Sequence, residues 1–98
     1  MHERYTRQSL VEGIGPAKVT QLKAAFEEAL GIDQARTNWD QLTYRGIPEW
    51  DSVAHMQLVV AIETAFGIML DTDEVVGMSS YPIARRILHD NHGLDFDA

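Results

Sequence analysis

Three residues that could take part in nucleophilic chemistry lie within five positions of one another: Asp51, Ser52 and His55. A serine becomes a nucleophile when a histidine takes its proton and a third group orients that histidine. On a helix, His55 can lie one turn from Ser52, but Asp51 precedes the helix and is badly placed to orient the far ring nitrogen. No nucleophile elbow or glycine-rich oxyanion loop is present. We therefore predict no catalytic residue and no enzyme.

Metal binding is the second chemistry that the residue types allow. His89 and His92 are three positions apart and can share a helix face, but a zinc site needs a third ligand nearby. The acids Asp71, Asp73 and Glu74 lack the spacing and the glycine of a calcium loop. We predict no metal site, and we expect both histidines to be surface residues.

A third chemistry is modification of Ser52, at the start of an apolar run that continues to Ile68. A helix start leaves backbone N–H groups unpaired and carries a partial positive charge. A serine there can cap the helix, or it can hold an esterified phosphate close to those donors. The triplet Asp51-Ser52-Val53 alone favours capping, so the choice depends on the surrounding elements.

Composition excludes several classes of function. Ninety-eight residues with 45% hydrophobic content make one small folded domain. Fifteen acidic against eight basic residues give a net charge of −7, which repels nucleic acid and anionic lipid and favours basic patches on proteins. The absence of cysteine excludes disulfides and thiolate sites. With no secretion signal or membrane-length apolar run, we expect a cytoplasmic monomer without membrane insertion.

The first half of the chain contains one helix and a long connection. Apolar residues with helical spacing predict a helix from Ala17 to Leu30, which Gly31 ends. The apolar residues of the connection, residues 32–51, have no steady period. A connection of this length is usually functional, and its hydrophobic residues are expected to pack against the end of the helices.

The second half contains three helices. One is predicted from Ser52 to about Phe66, where Gly67 ends it, and a short one is predicted near residues 73–77. Ser79-Ser80-Tyr81-Pro82 opens the last helix and Asn91-His92-Gly93 closes it. The predicted organisation is a flexible N-terminal arm (1–15), one all-α domain (16–93) and an acidic tail (94–98).

These elements, in this order, resemble the acyl carrier protein family across roughly residues 17–92. The resemblance depends on the Asp51-Ser52 pair, the apolar run with Glu63, the Phe66-Gly67-Ile68 exit and the acidic start at Asp71–Glu74, with Gly31-Ile32 also matching. The resemblance implies an acyl-carrier-like four-helix bundle with one short helix and a long loop between the first two helices.

The family resemblance also implies a function. Ser52 would carry a 4′-phosphopantetheine arm, which a phosphopantetheinyl transferase takes from coenzyme A, and Asp51 would help to present the serine and assist metal-bound coenzyme A. Acyl intermediates of fatty acid, polyketide or related biosynthesis would be held as thioesters. Expected partners are acyl- or aminoacyl-loading enzymes and downstream synthases or transferases. The alternatives are an aminoacyl or peptidyl carrier of a nonribosomal-type pathway and an unmodified helical docking module.

The chain departs from the usual family pattern along the second helix. Val53 replaces leucine, and small or neutral residues stand where acids are usual, which leaves Glu63 nearly alone. This indicates a discrete carrier of a specialised pathway. Val53 and Met56 are expected to face outward, either as partner contacts or as rim packing. Glu63 would dock a basic partner residue or be a solvated acid, and Trp50 would contact a partner or anchor the loop end.

Overall fold

The computed structural model describes residues 17–96, which form four α-helices and no strand. They are α1 (Ala17–Leu30), α2 (Ser52–Phe66), α3 (Thr72–Gly77) and α4 (Tyr81–His92). The predicted all-α class is confirmed, and so are the predicted positions of the helices. The predicted flexible arm and the last two residues lie outside the described residues. Within residues 17–96, no helix is both long and apolar enough to cross a membrane.

Local signals set the helix ends. Gly31 and Gly67 adopt left-handed backbone conformations, with φ of 68° and 65°, directly after α1 and α2. This conformation terminates a helix, and glycine adopts it without the steric cost of a Cβ atom. At the start of α4, the Ser80 hydroxyl accepts a hydrogen bond from the backbone N–H of Ile83, and proline occupies the first turn.

The long connection between α1 and α2 contains two 3₁₀ turns, Gln34–Arg36 and Trp39–Gln41. It also supplies aromatic side chains to the core. The Phe26 ring of α1 lies edge-on to Trp50 at 5.4 Å and to Tyr81 at 5.4 Å between ring centroids. Such edge-to-face pairs contribute about 0.5–1.5 kcal/mol each beyond their buried area. The connection is therefore fixed on the helices at the point where α2 begins.

The predicted acidic tail is wrong for residues 94–96. Phe96 is buried, and its ring lies edge-on to Phe66 with 6.1 Å between centroids. The Leu94 backbone N–H donates to the Leu88 carbonyl, so the chain turns back onto α4. Burial of an aromatic ring outweighs the preference of the neighbouring acids for water. These three residues belong to the domain.

Candidate functional site

Ser52 is the first residue of α2, and its side chain is exposed. The cap of this helix is Asp51, whose Oδ1 accepts a hydrogen bond from the Ala54 backbone N–H at 2.9 Å. The capping role considered for Ser52 is therefore wrong, because a favoured cap acceptor stands one residue earlier. The Ser52 hydroxyl has no hydrogen-bond partner among residues 17–96. The hydroxyl is therefore accessible to solvent and available to react.

The backbone around Ser52 carries unused donors. Asp51 satisfies the N–H of Ala54 with its side chain and that of His55 with its carbonyl. Within the described residues, the N–H groups of Ser52 and Val53 have no acceptor. Together with the positive end of the helix dipole, such donors stabilise a nearby anion by about 0.3–1 kcal/mol at an exposed site. The donor set suits a phosphodiester on Ser52.

Both ring nitrogens of His55 are committed to contacts other than Ser52. The Trp50 indole N–H donates to His55 Nδ1 at 3.0 Å, and His55 Nε2 lies 2.8 Å from the Val75 carbonyl oxygen. A carbonyl only accepts, so Nε2 is the donor in this contact, and Nδ1 accepts from Trp50. His55 thus ties the residue before the Asp51-Ser52 pair to α3.

Trp50 is fully buried. Beyond its contact with Phe26, its ring lies 6.2 Å from that of Tyr44 and stacks on that of His55 at 6.0 Å. The expectation that Trp50 contacts a partner is wrong, because the bulk of an indole is accommodated in the core when its N–H finds an acceptor. The alternative, an anchor for the loop end, describes its contacts.

The outward face of α2 is apolar and begins at Ser52. Val53 and Met56 are exposed to 66% and 54%, so their expected outward placement is confirmed. Val60 continues the face with 60% exposure; the sequence pattern had not singled it out, although it lies seven residues after Val53. With Gln57 these residues line an open groove of about 660 Å³. We call this set the outer face: Ser52, Val53, Met56, Gln57 and Val60.

A second groove continues the first. Gln57 and Val60 line both, and the second, of about 510 Å³, extends along α2 to Ala65 and is bounded by Glu28 and Ala29 of α1. On a helix with 3.6 residues per turn, the outer face points away from the buried Leu58 and Ile62. The apolar surface that starts at Ser52 therefore runs along most of α2.

Glu63 has a local structural contact. Its Oε2 accepts a hydrogen bond from the Leu70 backbone N–H at 2.9 Å, and its side chain is half-buried. The solvated-acid interpretation is therefore wrong, because the carboxylate holds the segment between α2 and α3 against the helix. Docking of a basic partner residue by Glu63 stays a prediction. The contact spans seven residues across a helix end, a distance at which sequence spacing gives no signal.

A buried carboxylate fixes α3 to α4. Glu74 is only 8% exposed and accepts hydrogen bonds from the Asp71 backbone N–H, from Asn91 Nδ2 and from His92 Nε2, each at 2.9 Å. Burial raises the pKa of Glu74, but these hydrogen bonds and the charge of His92 outweigh it and hold the pKa below its ordinary value. Asp71 in turn caps α3, and Asp71 and Glu74 form a reciprocal capping box.

Of the two histidines expected at the surface, only one is exposed. His89 is exposed and pairs with the neighbouring Asp90 at 3.1 Å, as expected of a surface residue. The same expectation is wrong for His92, whose side chain is 18% exposed because Glu74 draws it against α3. In the part of the chain that the structure describes, no group of three histidine or acidic side chains is arranged to hold a metal ion.

Comparison of the chain with models of known protein families, with curated proteins and with solved structures gave no match.

Proposed function

We propose that this protein is a carrier that holds acyl groups as thioesters on a 4′-phosphopantetheine arm attached to Ser52. The observation that carries the proposal is the state of Ser52 itself. It is exposed at the first position of α2, its hydroxyl is unpartnered among residues 17–96, and the capping task that would otherwise use that hydroxyl belongs to Asp51. The resemblance of the sequence around Ser52 to acyl carrier proteins supports the same role.

The residues around Ser52 suit the attachment step. In that step the Ser52 oxygen attacks the phosphorus that bears the pantetheine in coenzyme A, an O–P bond forms, the pyrophosphate bond breaks and adenosine 3′,5′-bisphosphate leaves. The serine proton passes to a base of the transferase. The free N–H groups of Ser52 and Val53 would hold the resulting phosphodiester and favour its negative charge. The arm supplies a thiol that forms the thioester.

Anchoring of the helix start supports a carrier as well. A transferase and each later enzyme must find the serine in the same place, and Trp50 and His55 hold the chain on the inner side of Ser52. Val53 and Met56 beside the serine give partners an apolar contact, and the net charge of −7 favours partners with basic patches. Such contacts are expected to be transient, since each intermediate has to pass to the next enzyme.

The outer face also fits a second function, an unmodified docking module, because its apolar side chains are exposed whether or not Ser52 is modified. The two functions differ in whether they need the hydroxyl group. A carrier loses its activity when Ser52 is replaced, whereas a docking module tolerates alanine there. Whether the cargo is acyl or aminoacyl is a separate question, which can be addressed once the arm has been attached.

The test is the intact mass of the full chain after incubation with coenzyme A and a broad-specificity phosphopantetheinyl transferase. We expect the native chain to gain one phosphopantetheinyl group and Ser52→Ala to gain none. Ser79→Ala is the matched control, because Ser79 is another exposed serine, and we expect it to load fully. Circular dichroism should show the same helical signal for all three proteins, since the Ser52 side chain makes no contact that the helix needs.

Loading of Ser52→Ala would contradict attachment at Ser52, and no loading of the folded native chain by this transferase and by one from the same source would contradict the carrier function. The second result would favour the docking module.

A further inference from the structure

Ser52 lies within the groove that the outer face forms. It is one of the five residues that line the open space of about 660 Å³, and the other four extend from it along α2. A group attached to the Ser52 oxygen therefore starts inside an apolar groove. From Ser52 to Val60 the helix rises about 12 Å, at 1.5 Å per residue. An extended pantetheine chain can follow a path of this length.

The opposite route, into the bundle, is obstructed beside Ser52. The hydrogen bond between His55 Nε2 and the Val75 carbonyl oxygen, 2.8 Å long, crosses the seam between α2 and α3. His55 is held in that position by the buried Trp50. On the inner side of α2, Ala54 and Leu58 are buried against the core. An arm that entered between α2 and α3 at this level would have to break the His55 contacts.

The chemistry of the groove matches that of the arm. Pantetheine carries two methyl groups on one carbon near its phosphate end, followed by two amides. Val53 and Met56 present apolar surface to the methyl groups, and the exposed Gln57 side chain, before Val60, can both donate to and accept from an amide. Because the arm would be tethered, its effective concentration at the groove is high, and weak contacts suffice to hold it.

We propose that the pantetheine arm rests in the groove of the outer face, along the exterior of α2, and does not enter the bundle. This inference rests on the proposed attachment at Ser52. The methyl groups, close to the attachment point, contact Val53 and Met56, and the amides that follow them lie toward Gln57 and Val60. An enzyme that docks on the outer face then displaces the arm from its resting place and receives its thiol end.

The chain has no cysteine, so Ser52→Cys introduces one thiol at the attachment position, and the arm can be installed without any transferase. The reagent is a pantetheine analogue with a bromoacetamide at its pantoyl end and a methyl-capped sulfur. The thiolate at position 52 displaces bromide, a C–S bond forms, and bromide and a proton are released. With ¹³C in the two methyl groups of the arm, their nuclear Overhauser contacts to the full chain are measured directly.

We expect contacts from the arm methyls to the methyl groups of Val53 and Met56. A matched pair of variants tests the groove: Val53→Asp, which places a charge in it beside the attachment point, and Val76→Asp, which alters another exposed valine, in α3 and outside its lining. The first should abolish the contacts to Met56 and the second should preserve them.

Contacts to the core methyls of Leu58, Ile62 or Met78 would place the arm in the bundle and overturn the proposal. The absence of protein contacts would show a free arm, and equal effects of the two variants would show that the groove does not hold it; either result would overturn the proposal. Because no transferase is used, each of these results bears on the resting place of the arm, whereas the mass measurement bears on attachment to Ser52.

Discussion

Two sides of the start of α2 differ in how their polar atoms are used. On the inner side, Trp50 donates a hydrogen bond to His55, His55 bonds to α3, and Glu74 bonds α3 to α4. On the outer face, the Ser52 hydroxyl and the Gln57 amide make no hydrogen bond to any residue in the described range. The inner side fixes the position of the helix start, and the outer face leaves its groups available.

This difference separates stability from function along a single helix. Removing a buried group leaves a cavity and unsatisfied partners, whereas removing an exposed group usually changes the free energy of unfolding by less than about 0.5 kcal/mol. Substitutions on the inner side should therefore lower the free energy of unfolding, and those on the outer face should alter only what binds or attaches there.

The largest expected effect is that of Trp50→Ala. Loss of the buried indole leaves a cavity beside Phe26 and removes the donor to His55 Nδ1. We expect the free energy of unfolding to fall by about 3–5 kcal/mol. Val53→Ala, three residues later on the outer face, should change it by less than about 0.5 kcal/mol. Urea denaturation followed by circular dichroism measures both values.

Similar losses in the Trp50 and Val53 variants would remove the distinction between the two sides. A small loss in the Trp50 variant alone would mean that the connection before α2 is not anchored as the contacts indicate.

A smaller effect is expected from Glu74→Gln, which keeps the shape of the side chain and removes its charge. Hydrogen bonds to charged groups contribute about 1.5–3 kcal/mol, and the new amide presents a donor where Asn91 Nδ2 already donates. At neutral pH we expect the free energy of unfolding to fall within that range. Glu49→Gln, an exposed acid, is the matched control and should have almost no effect.

The pH dependence of the Glu74 effect has a defined sign. The folded-state pKa of Glu74 lies below its ordinary value of 4.5, so its contribution is complete above that value and is lost as pH falls through the folded-state pKa. The difference in unfolding free energy between the native chain and Glu74→Gln should therefore shrink on acidification below about pH 4.5. A difference that stays constant down to pH 2 would show that the charge of Glu74 does not hold α3 to α4.

The contacts of the inner side also show why parts of the structure were not predictable from the sequence. The helix ends were predictable, because Gly31 and Gly67 end the helices directly before them through their own backbone conformation. His55 meets Val75 twenty residues later, and Glu74 meets His92 eighteen residues later. Neither contact lies within a helical repeat, so no local pattern indicates it. Phe96 escaped prediction for the same reason, since its burial depends on Phe66.

The outer face was predictable where its residues follow helical spacing. Val53 and Met56 follow from helical spacing once the buried residues are assigned. The cap was misplaced because Asp51 and Ser52 are both favoured cap residues, and only the backbone geometry decides between neighbours. The extended φ and ψ of Asp51, −102° and −172°, place it before the helix and Ser52 within it.

The smallest of the three effects concerns these two neighbours, which lie where the inner side meets the outer face. Asp51→Ala removes the acceptor for the Ala54 N–H and should cost about 1 kcal/mol of unfolding free energy, while Ser52→Ala should cost less than about 0.5 kcal/mol.

Asp51→Asn keeps a cap of similar strength and removes the charge, so its stability should equal that of the native chain. Urea denaturation gives all three values, and the rate of phosphopantetheinyl loading by mass gives a second readout. If the carboxylate assists metal-bound coenzyme A, Asp51→Asn slows loading at unchanged stability. If Asp51 acts only as a cap, Asp51→Asn loads at the native rate. A loss of stability in Ser52→Ala as large as in Asp51→Ala would return the capping role to the serine and weaken its assignment as the attachment site.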